Sequence, residues 1–232
     1  MPPALRGIGS MATRGLLADV AAAYARASGV TVSFLSAGGV EAARRIADGE
    51  VFDLAVLAAS TIDRLAAQGG VDGAARVAVA ASGIGVAVAA GAATFDISDE
   101  AALRDALRTA GRIAYSTGPS GHALLALLQR WGLADELSPR LVQAPAGTPV
   151  GTVLARGEAD LGLQQMSELI GLPGIRLLGP LPAPVQVRTM FWAAPCTGSP
   201  QAAATRALLG FMASAALDEL RARHGLEPPT PG

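Results

Sequence analysis

The stretch ALRGIGSMATRGLLADVAAAYARASGVTVSFL, residues 4–35, sets the pattern for the whole chain. Its first residues, ALRGIG, are short and mostly apolar and predict a β-strand. MATRGLLADVAAAYARAS then places apolar residues at helical spacing, and VTVSFL predicts a second strand. The segments VEAARRIADG, FDLAVLAA and STIDRLAAQG continue the same rhythm. This alternation predicts an α/β fold with a parallel sheet and right-handed crossovers.

Two passages interrupt the alternation with successive strands, near residues 77–90 and 183–193. We expect them to be crossings between two Rossmann-like α/β lobes. Lobe one is predicted from residues 1–80 plus 190–232 and lobe two from residues 85–180, with a ligand cleft between them. The uncharged run 77–95 is broken by glycines, so two buried strands are expected there instead of a membrane span. Ser98 is the expected N-cap of the next helix, and residues 200–220 are expected to form one helix.

Composition argues against several classes of function. The net charge is −1, aromatic residues make up 4% and no basic stripe is present, which argues against nucleic-acid binding. All 18 basic residues are Arg, so no lysine is available for a Schiff base or a P-loop. One cysteine, Cys196, and two histidines argue against a disulfide or a metal site, and no cofactor is expected. No signal peptide is predicted, so we expect a cytoplasmic protein without membrane insertion, or a periplasmic one if a leader was removed.

Four loops join predicted strands to helices, and each offers hydrogen-bond donors. Each loop lies at the carboxyl end of its strand, the side on which open α/β sheets bind ligands. A helix N-terminus there attracts anions through its dipole and its backbone N–H groups. Gln164 and Gln165 end a further strand on opposite faces, so one amide is expected to donate to an oxygen ligand. The predicted contacts to a small anion are Ser10, Gly38, Gly39, Ser116, Thr117, Ser120, Gly121, Thr148 and Gln165.

Some of these features have a second interpretation. GIGSMA at residues 7–12 matches a dinucleotide-binding pattern, but the second strand ends without the expected carboxylate, which favours a tight turn capped by Ser10. Ser120 does not have the G-x-S-x-G spacing of a nucleophile, and His122 is the one base near it in sequence. Ser120 is therefore predicted to be an anion ligand or a helix cap. A bound anion or a solvated side chain would each explain Arg14 in a first helical turn.

Several segments occur in the order GIGSMATRGLL, ARRIADGEVFDLAVLA, IAYSTGPSG and PVGTVLARGEADLGLQQMSELI. In this order they resemble the molybdate-binding-protein-like branch of bacterial solute-binding proteins over nearly the whole chain. The resemblance implies a type 2 periplasmic-binding-protein fold, with two α/β lobes, two crossover strands and an oxyanion held by helix N-termini. Ser10 matches the family's first oxyanion-binding serine. Gly38 and Gly39 stand where the second serine is expected, and Gln165 replaces a ligand tyrosine, which suits carboxylates as well as molybdate.

Two functions fit this resemblance. The first is binding of a small oxyanion or polycarboxylate, with an ABC transporter as partner if the chain is exported. The second is a cytosolic isomerase that moves a C=C bond in a tricarboxylate, since aconitate isomerase is similar in overall fold. Such an enzyme needs a base, and Tyr115, Glu41, Glu168 and His122 are possible by placement, with Tyr115 retained as the candidate. A ligand-sensing module that acts on a partner is a third class.

Overall fold

The computed structural model describes residues 4–229. The chain divides into two compact units, the first made of Met1–Ser82 and Met190–Gly232 and the second of Gly83–Thr189. It therefore leaves the first unit after residue 82 and returns to it after residue 189. Each unit contains one five-stranded sheet with helices, so the predicted α/β class is confirmed.

Ten strands and ten α-helices are present within the described residues. The strands are β1 (Ala4–Ser10), β2 (Thr31–Ala37), β3 (Leu54–Ala58), β4 (Val77–Ser82), β5 (Ile84–Ala89), β6 (Ile113–Tyr115), β7 (Leu141–Gln143), β8 (Leu161–Gln165), β9 (Ile175–Pro180) and β10 (Thr189–Pro195). The helices are α1 (Arg14–Ser28), α2 (Gly39–Ala47), α3 (Ala59–Ala67), α4 (Glu100–Thr109), α5 (Pro119–Arg130), α6 (Ala134–Leu137), α7 (Val150–Ala155), α8 (Met166–Leu169), α9 (Ala202–Met212) and α10 (Asp218–Arg223).

The sheet of the first unit has the strand order β2-β1-β3-β10-β4. Strand β1 pairs in parallel with β2 and β3, and β10 runs antiparallel to β3. All five residues of β3 are buried, as expected for a central strand covered on both faces. Helix α1 buries Leu16, Leu17, Val20 and Tyr24, a helical spacing, and ends at Gly29, whose φ of 72° suits glycine.

The sheet of the second unit has the strand order β7-β6-β8-β5-β9. Strand β6 pairs in parallel with β7 and β8, whereas β5 runs antiparallel to β8 and β9. Leucines of α4 and α5 pack against this sheet, among them Leu103, Leu107, Leu124 and Leu128. This burial of apolar side chains supplies the main driving force for folding the unit.

The strand orders define where a ligand can bind in each unit. In the first, β1 is flanked by β2 and β3, and in the second, β6 is flanked by β7 and β8. The connections therefore reverse direction beside β1 and beside β6, and open α/β sheets bind ligands at the carboxyl ends of strands where this reversal occurs. We call these strand ends and the loops after them the carboxyl edge of each unit.

Three local predictions need correction. Asp99, not Ser98, is the N-cap of α4, since its Oδ1 accepts the N–H of Ala102 at 2.8 Å and its charge complements the helix dipole. Residues 200–220 form two helices instead of one, because Ser214 accepts the N–H of Ala216 and caps a separate 3₁₀ turn. Residues Met11–Thr13 are likewise a 3₁₀ turn that precedes α1.

The long uncharged run 77–95 contains the two strands expected of it, β4 and β5. The two strands belong to different sheets, so the chain passes from one unit to the other within this run. Among the helices of residues 4–229, none combines the length and apolar character needed to span a membrane.

Candidate functional site

Ser10 is the last residue of β1, opposite Ala37 of β2 at the carboxyl edge of the first unit. Its Oγ accepts the N–H of Ala12 at 3.3 Å and caps the 3₁₀ turn before α1. A hydroxyl that accepts in this way keeps its own proton for donation. Ser10 can therefore be both the cap and a donor to an anion.

Gly38 and Gly39 begin α2 next to Ser10 on the same edge. Gly38 is the N-cap and has no side-chain cap interaction. A Cβ on Gly38 would meet no atom within 4 Å, and one on Gly39 would lie 3.4 Å from the Oγ1 of Thr61. The helix start is thus open for close approach to its backbone. Thr61, on α3, is a neighbour of this loop that the sequence pattern did not reveal.

Arg14 is exposed at the first position of α1. It lines a surface groove of about 520 Å³ in the first unit, together with Ser36 of β2 and the apolar residues Leu17, Ala18, Ala21, Val32 and Phe34. The guanidinium has no ion pair or hydrogen bond within residues 4–229. These surroundings favour the interpretation that the Arg14 side chain is simply solvated.

Ser116 and Ser120 form a buried hydroxyl pair in the loop between β6 and α5. Their Oγ atoms are 2.9 Å apart, and the N–H of Gly118 donates to the Oγ of Ser116 at 3.2 Å. Ser116 is 9% exposed and Ser120 1%. Pro119 occupies the first helical position of α5, where its missing N–H leaves no bond unmade. Thr117, the remaining predicted ligand of this loop, is exposed.

Gly121 is required by the packing of this loop. A Cβ there would lie 1.8 Å from the carbonyl oxygen of Ser116, a distance no side chain allows. Its N–H donates to the carbonyl of Gly118 at 3.0 Å, so it is not a free donor as the sequence had suggested. Gly121 therefore holds the Ser116–Ser120 pair in place by letting α5 approach the loop.

The loop before α7 offers fewer free donors than expected. The N–H of Thr148 donates to the carbonyl of Pro145 at 2.9 Å, and the N–H of Val150 donates to the Oε1 of Gln164 at 2.7 Å. The hydroxyl of Thr148 is its remaining donor toward a ligand. Gln164 is 2% exposed and provides the acceptor for the first N–H of α7.

Gln165 ends β8 and is 1% exposed. Its Nε2 donates to the Oγ1 of Thr189 at 2.8 Å, whereas its Oε1 is buried without a hydrogen-bond partner. The nearby Oγ of Ser167 is also buried and unpartnered. Buried polar atoms are nearly always bonded, so these two unpartnered atoms make the end of β8 a candidate position for contact with a ligand.

The four candidate bases have very different surroundings. Glu41 contacts Arg44 and Arg45, and their hydrogen bonds lower its pKa to about 2. His122 is exposed on α5. The ring of Tyr115 is half-buried and packs against the core of the second unit. Glu168 lies on α8, where burial raises its pKa to about 7.

Comparison with known proteins identifies similar chains. A model of the family described as bacterial extracellular solute-binding protein matches residues 5–227. The aconitate isomerase of Pseudomonas sp. is 37% identical over 220 residues, which cover 92% of this chain and 84% of that protein. The periplasmic molybdate-binding protein of Azotobacter vinelandii superposes with a TM-score of 0.81 at 21% identity, over 97% of this chain and 100% of that chain. The sulfate-binding protein SubI of Mycobacterium tuberculosis H37Rv superposes with a TM-score of 0.80 at 19% identity, over 99% of this chain and 88% of that chain. These likenesses confirm the predicted type 2 periplasmic-binding fold and the molybdate-binding-like resemblance.

Proposed function

Because this chain belongs to the family of bacterial extracellular solute-binding proteins, we propose that it binds a small anion, and that this anion is a polycarboxylate. The observation that carries the proposal is the buried hydroxyl pair of Ser116 and Ser120. The ligand set predicted for this chain contains hydroxyl, amide and backbone donors and no lysine or arginine. Such a set binds negative oxygen atoms by directed hydrogen bonds instead of by a point charge.

The two hydroxyl groups carry two protons, and only one of them is used in a hydrogen bond within the pair. One proton lies between the two Oγ atoms, and the N–H of Gly118 already fills an acceptor position on Ser116. The second hydroxyl proton has no acceptor among residues 4–229. A buried donor without an acceptor is unfavourable by about 1–3 kcal/mol, and a carboxylate oxygen would remove that cost.

Gln165 supports the same assignment. The oxygen and nitrogen of an amide are distinguished by their partners, and the hydroxyl of Thr189 can either donate or accept. If the oxygen and nitrogen of the amide exchange places, Thr189 donates to Oε1, and Nε2 occupies the position that lacks a partner. The amide then donates to an anion, which is the role the family resemblance gives to a tyrosine.

In the first unit we propose that Ser10 and the N-terminus of α2 contribute further donors. The pair Gly38–Gly39 leaves the backbone N–H groups accessible and adds no side chain. The hydroxyls of Thr117 and Thr148 complete the proposed ligand set. If the chain is exported, an ABC transporter is its proposed partner.

Thermal unfolding with candidate anions tests the proposal. We expect citrate, cis-aconitate and trans-aconitate to raise the melting temperature more than molybdate or sulfate. A ligand at 100 times its Kd stabilises the folded state by about 2.7 kcal/mol. Stabilisation by molybdate and sulfate alone would contradict a polycarboxylate ligand, and no response to any anion would overturn anion binding.

The variant Ser120→Ala locates the ligand. Removal of one hydroxyl of the pair should weaken binding by about tenfold, the value of one hydrogen bond to a charged group. Ser98→Ala is the matched control, because Ser98 is an exposed serine of the same unit. Equal affinities of the two variants in calorimetry would mean that Ser120 serves the fold alone.

A second candidate function is isomerisation of a tricarboxylate. The observation that favours it is the 37% identity with the aconitate isomerase of Pseudomonas sp., which extends over 92% of this chain. The reaction removes a proton beside a carboxylate and returns it at the other end of the allylic system, so that the C=C bond moves. Nuclear magnetic resonance of trans-aconitate incubated with the protein in heavy water tests the isomerase function. Deuterium entry and appearance of the cis isomer are expected. If neither occurs, the chain binds the anion without isomerising it.

A further inference from the structure

Glu168 differs from every other candidate base in what surrounds its carboxyl group. It takes part in no ion pair within residues 4–229, although glutamates elsewhere, such as Glu41 and Glu50, contact arginine. The residue is half-buried, and its Oε1 accepts a hydrogen bond of 2.8 Å from the Nε2 of Gln164. One neutral amide therefore replaces the cation that a partly buried carboxylate ordinarily requires.

Gln164 is held rigidly in this role. Its Oε1 accepts the N–H of Val150 at 2.7 Å, which fixes the orientation of the amide, because only an oxygen can accept there. The Nε2 must then face Glu168. Both side chains come from the short segment β8–α8, and Gln164 ties that segment to the start of α7. The carboxyl of Glu168 is thus positioned by a buried residue that is itself anchored to backbone.

The protonation of Glu168 follows from these contacts. Burial raises its pKa to about 7, and the hydrogen bond from Gln164 opposes that rise; no charged neighbour contributes. Near neutral pH the group exists both as carboxylate and as carboxylic acid. A group that must accept a proton and later return it works best under this condition.

The location of Glu168 connects it to the proposed ligand. It follows directly on the carboxyl end of β8, and the pairing of Tyr115 with Leu163 brings the Ser116–Ser120 loop to the neighbouring strand end. The loop that contains Thr148 adjoins Gln164 through Val150. Glu168 therefore lies at the carboxyl edge of the second unit, on the side of β8 that carries Gln164 and adjoins the start of α7.

We propose that Glu168 takes a proton from the bound polycarboxylate and returns it, with Gln164 as its positioning residue. The inference rests on the proposed function, since it requires the anion to bind at this edge. The Glu168 carboxylate takes a proton from a methylene carbon adjacent to a carboxylate. The C–H electron pair then delocalises into the neighbouring C=C bond, and Glu168 delivers the proton to the far end of the three-carbon system. The double bond moves by one position, and no oxidant, reductant or water is consumed.

The donors of the Ser116–Ser120 loop have a part in this step. Negative charge accumulates on the carboxylate next to the carbon that loses its proton. Hydrogen bonds already directed at that carboxylate stabilise the charge without reorganisation. The hydroxyl pair thus stabilises the developing negative charge, and Glu168 transfers the proton.

The test compares Glu168→Gln with Glu158→Gln, an exposed glutamate of the same unit. Each protein is incubated with trans-aconitate in heavy water, and deuterium entry is followed by nuclear magnetic resonance while binding is measured by calorimetry. We expect Glu168→Gln to lose about 100-fold or more of the exchange rate and to keep its affinity, with Glu158→Gln unchanged in both. Exchange by Glu168→Gln within threefold of the parent rate would overturn the proposal.

The other outcomes separate the two proposals. If the parent protein binds trans-aconitate but exchanges no deuterium, Glu168 is not a proton carrier and anion binding stands. If the parent protein binds no polycarboxylate, the proposed function fails and this inference fails with it. Gln164→Met supplies an independent readout, because loss of the hydrogen bond should raise the pKa of Glu168 and move the pH profile of exchange upward. An unmoved profile would contradict the positioning role.

Discussion

Arg221 in the first unit is a fully buried ionisable side chain and Glu168 in the second is a half-buried one, and their surroundings differ. Arg221 is 1% exposed and donates to the backbone carbonyls of Val79, Met212 and Ser214 and to Asp218. Glu168 accepts a hydrogen bond from one amide and contacts no cation within the described residues. A fully bonded buried charge serves the fold, whereas an incompletely bonded one is available for chemistry.

The same difference extends to neighbouring groups. In the first unit, Asp53 is 4% exposed and accepts hydrogen bonds from the N–H of Arg6 and the hydroxyl of Ser199. In the second unit, Gln165 and Ser167 each have a buried polar atom without a partner. The proposed ligand would complete the bonding of these two atoms, whereas the buried unpartnered hydroxyl of Thr205 in the first unit lies outside the proposed ligand set.

Removing Arg221 should have the largest effect on stability. Arg221→Met leaves the carbonyls of Val79, Met212 and Ser214 without their donor, and we expect the free energy of unfolding to fall by about 3–5 kcal/mol. Arg223→Met, an exposed change on the same helix, should stay within about 0.5 kcal/mol of the parent protein. Urea denaturation measures both. A small effect of Arg221→Met would mean that the first unit does not depend on its buried charge.

Gly121 and Gly118 form a matched pair in the Ser116–Ser120 loop. Gly121→Ala places a Cβ against the carbonyl of Ser116 and should destabilise the protein by about 1–3 kcal/mol and weaken anion binding. A Cβ on Gly118 would have its nearest neighbour, the Oγ of Ser116, at 3.7 Å, so Gly118→Ala should change both quantities little. Melting curves with and without trans-aconitate check this. Similar behaviour of the two variants would contradict the close approach at Gly121.

The pH dependence of stability should contain a contribution from Glu168. Its pKa is about 7 in the folded protein against an ordinary value of 4.5, so the folded state holds the proton more tightly. The resulting stabilisation is complete below about pH 4.5 and is lost as the pH rises through 7. Relative to Glu168→Gln, the parent protein should lose roughly 1–3 kcal/mol across this window in denaturation experiments. Parallel pH curves for the two proteins would show that Glu168 titrates normally.

The smallest effect is expected for chemical modification of the Cys196 thiol in the folded protein. Burial, with the charge of Asp53, raises the pKa of its thiol to about 12, so almost no thiolate exists at neutral pH. Iodoacetamide should not modify the folded protein but should modify it in concentrated urea. Mass spectrometry measures the difference. Rapid labelling of the folded protein would contradict the inert character of this group.

The sequence was a good guide to the helices and strands and to which loops follow the carboxyl ends of the strands. Periodic apolar residues in a stretch such as Leu16–Tyr24 specify which face of a helix is buried, and the loop residues follow from where each strand ends. The sequence could not distinguish Glu41 from Glu168, because a pKa depends on neighbours brought together by folding. Arg44 and Arg45 are close to Glu41 in sequence, but the burial of Glu168 and the anchor of Gln164 at Val150 exist only in the fold.

Nor could the sequence tell which donors are already bonded. The N–H groups of Gly121 and Val150 belong to loops that appear equally open in the sequence, and both are occupied by partners within the fold. The contact between Ser116 and Ser120 was also not predicted, since four residues across a loop-to-helix junction have no fixed separation. Which of these groups are bonded is decided by contacts that exist only in the folded protein.

Titration of the glutamate carboxyl carbons by nuclear magnetic resonance, with Glu168→Gln used for assignment, tests the central claim most directly. We predict that Glu168 titrates with a pKa of about 7 and Glu41 with a pKa of about 2. Addition of trans-aconitate should shift the titration of Glu168, because the anion is proposed to bind beside it, and should leave that of the exposed residue Glu158 unchanged. A pKa of Glu168 below about 5, or a titration unaffected by the anion, would contradict the account.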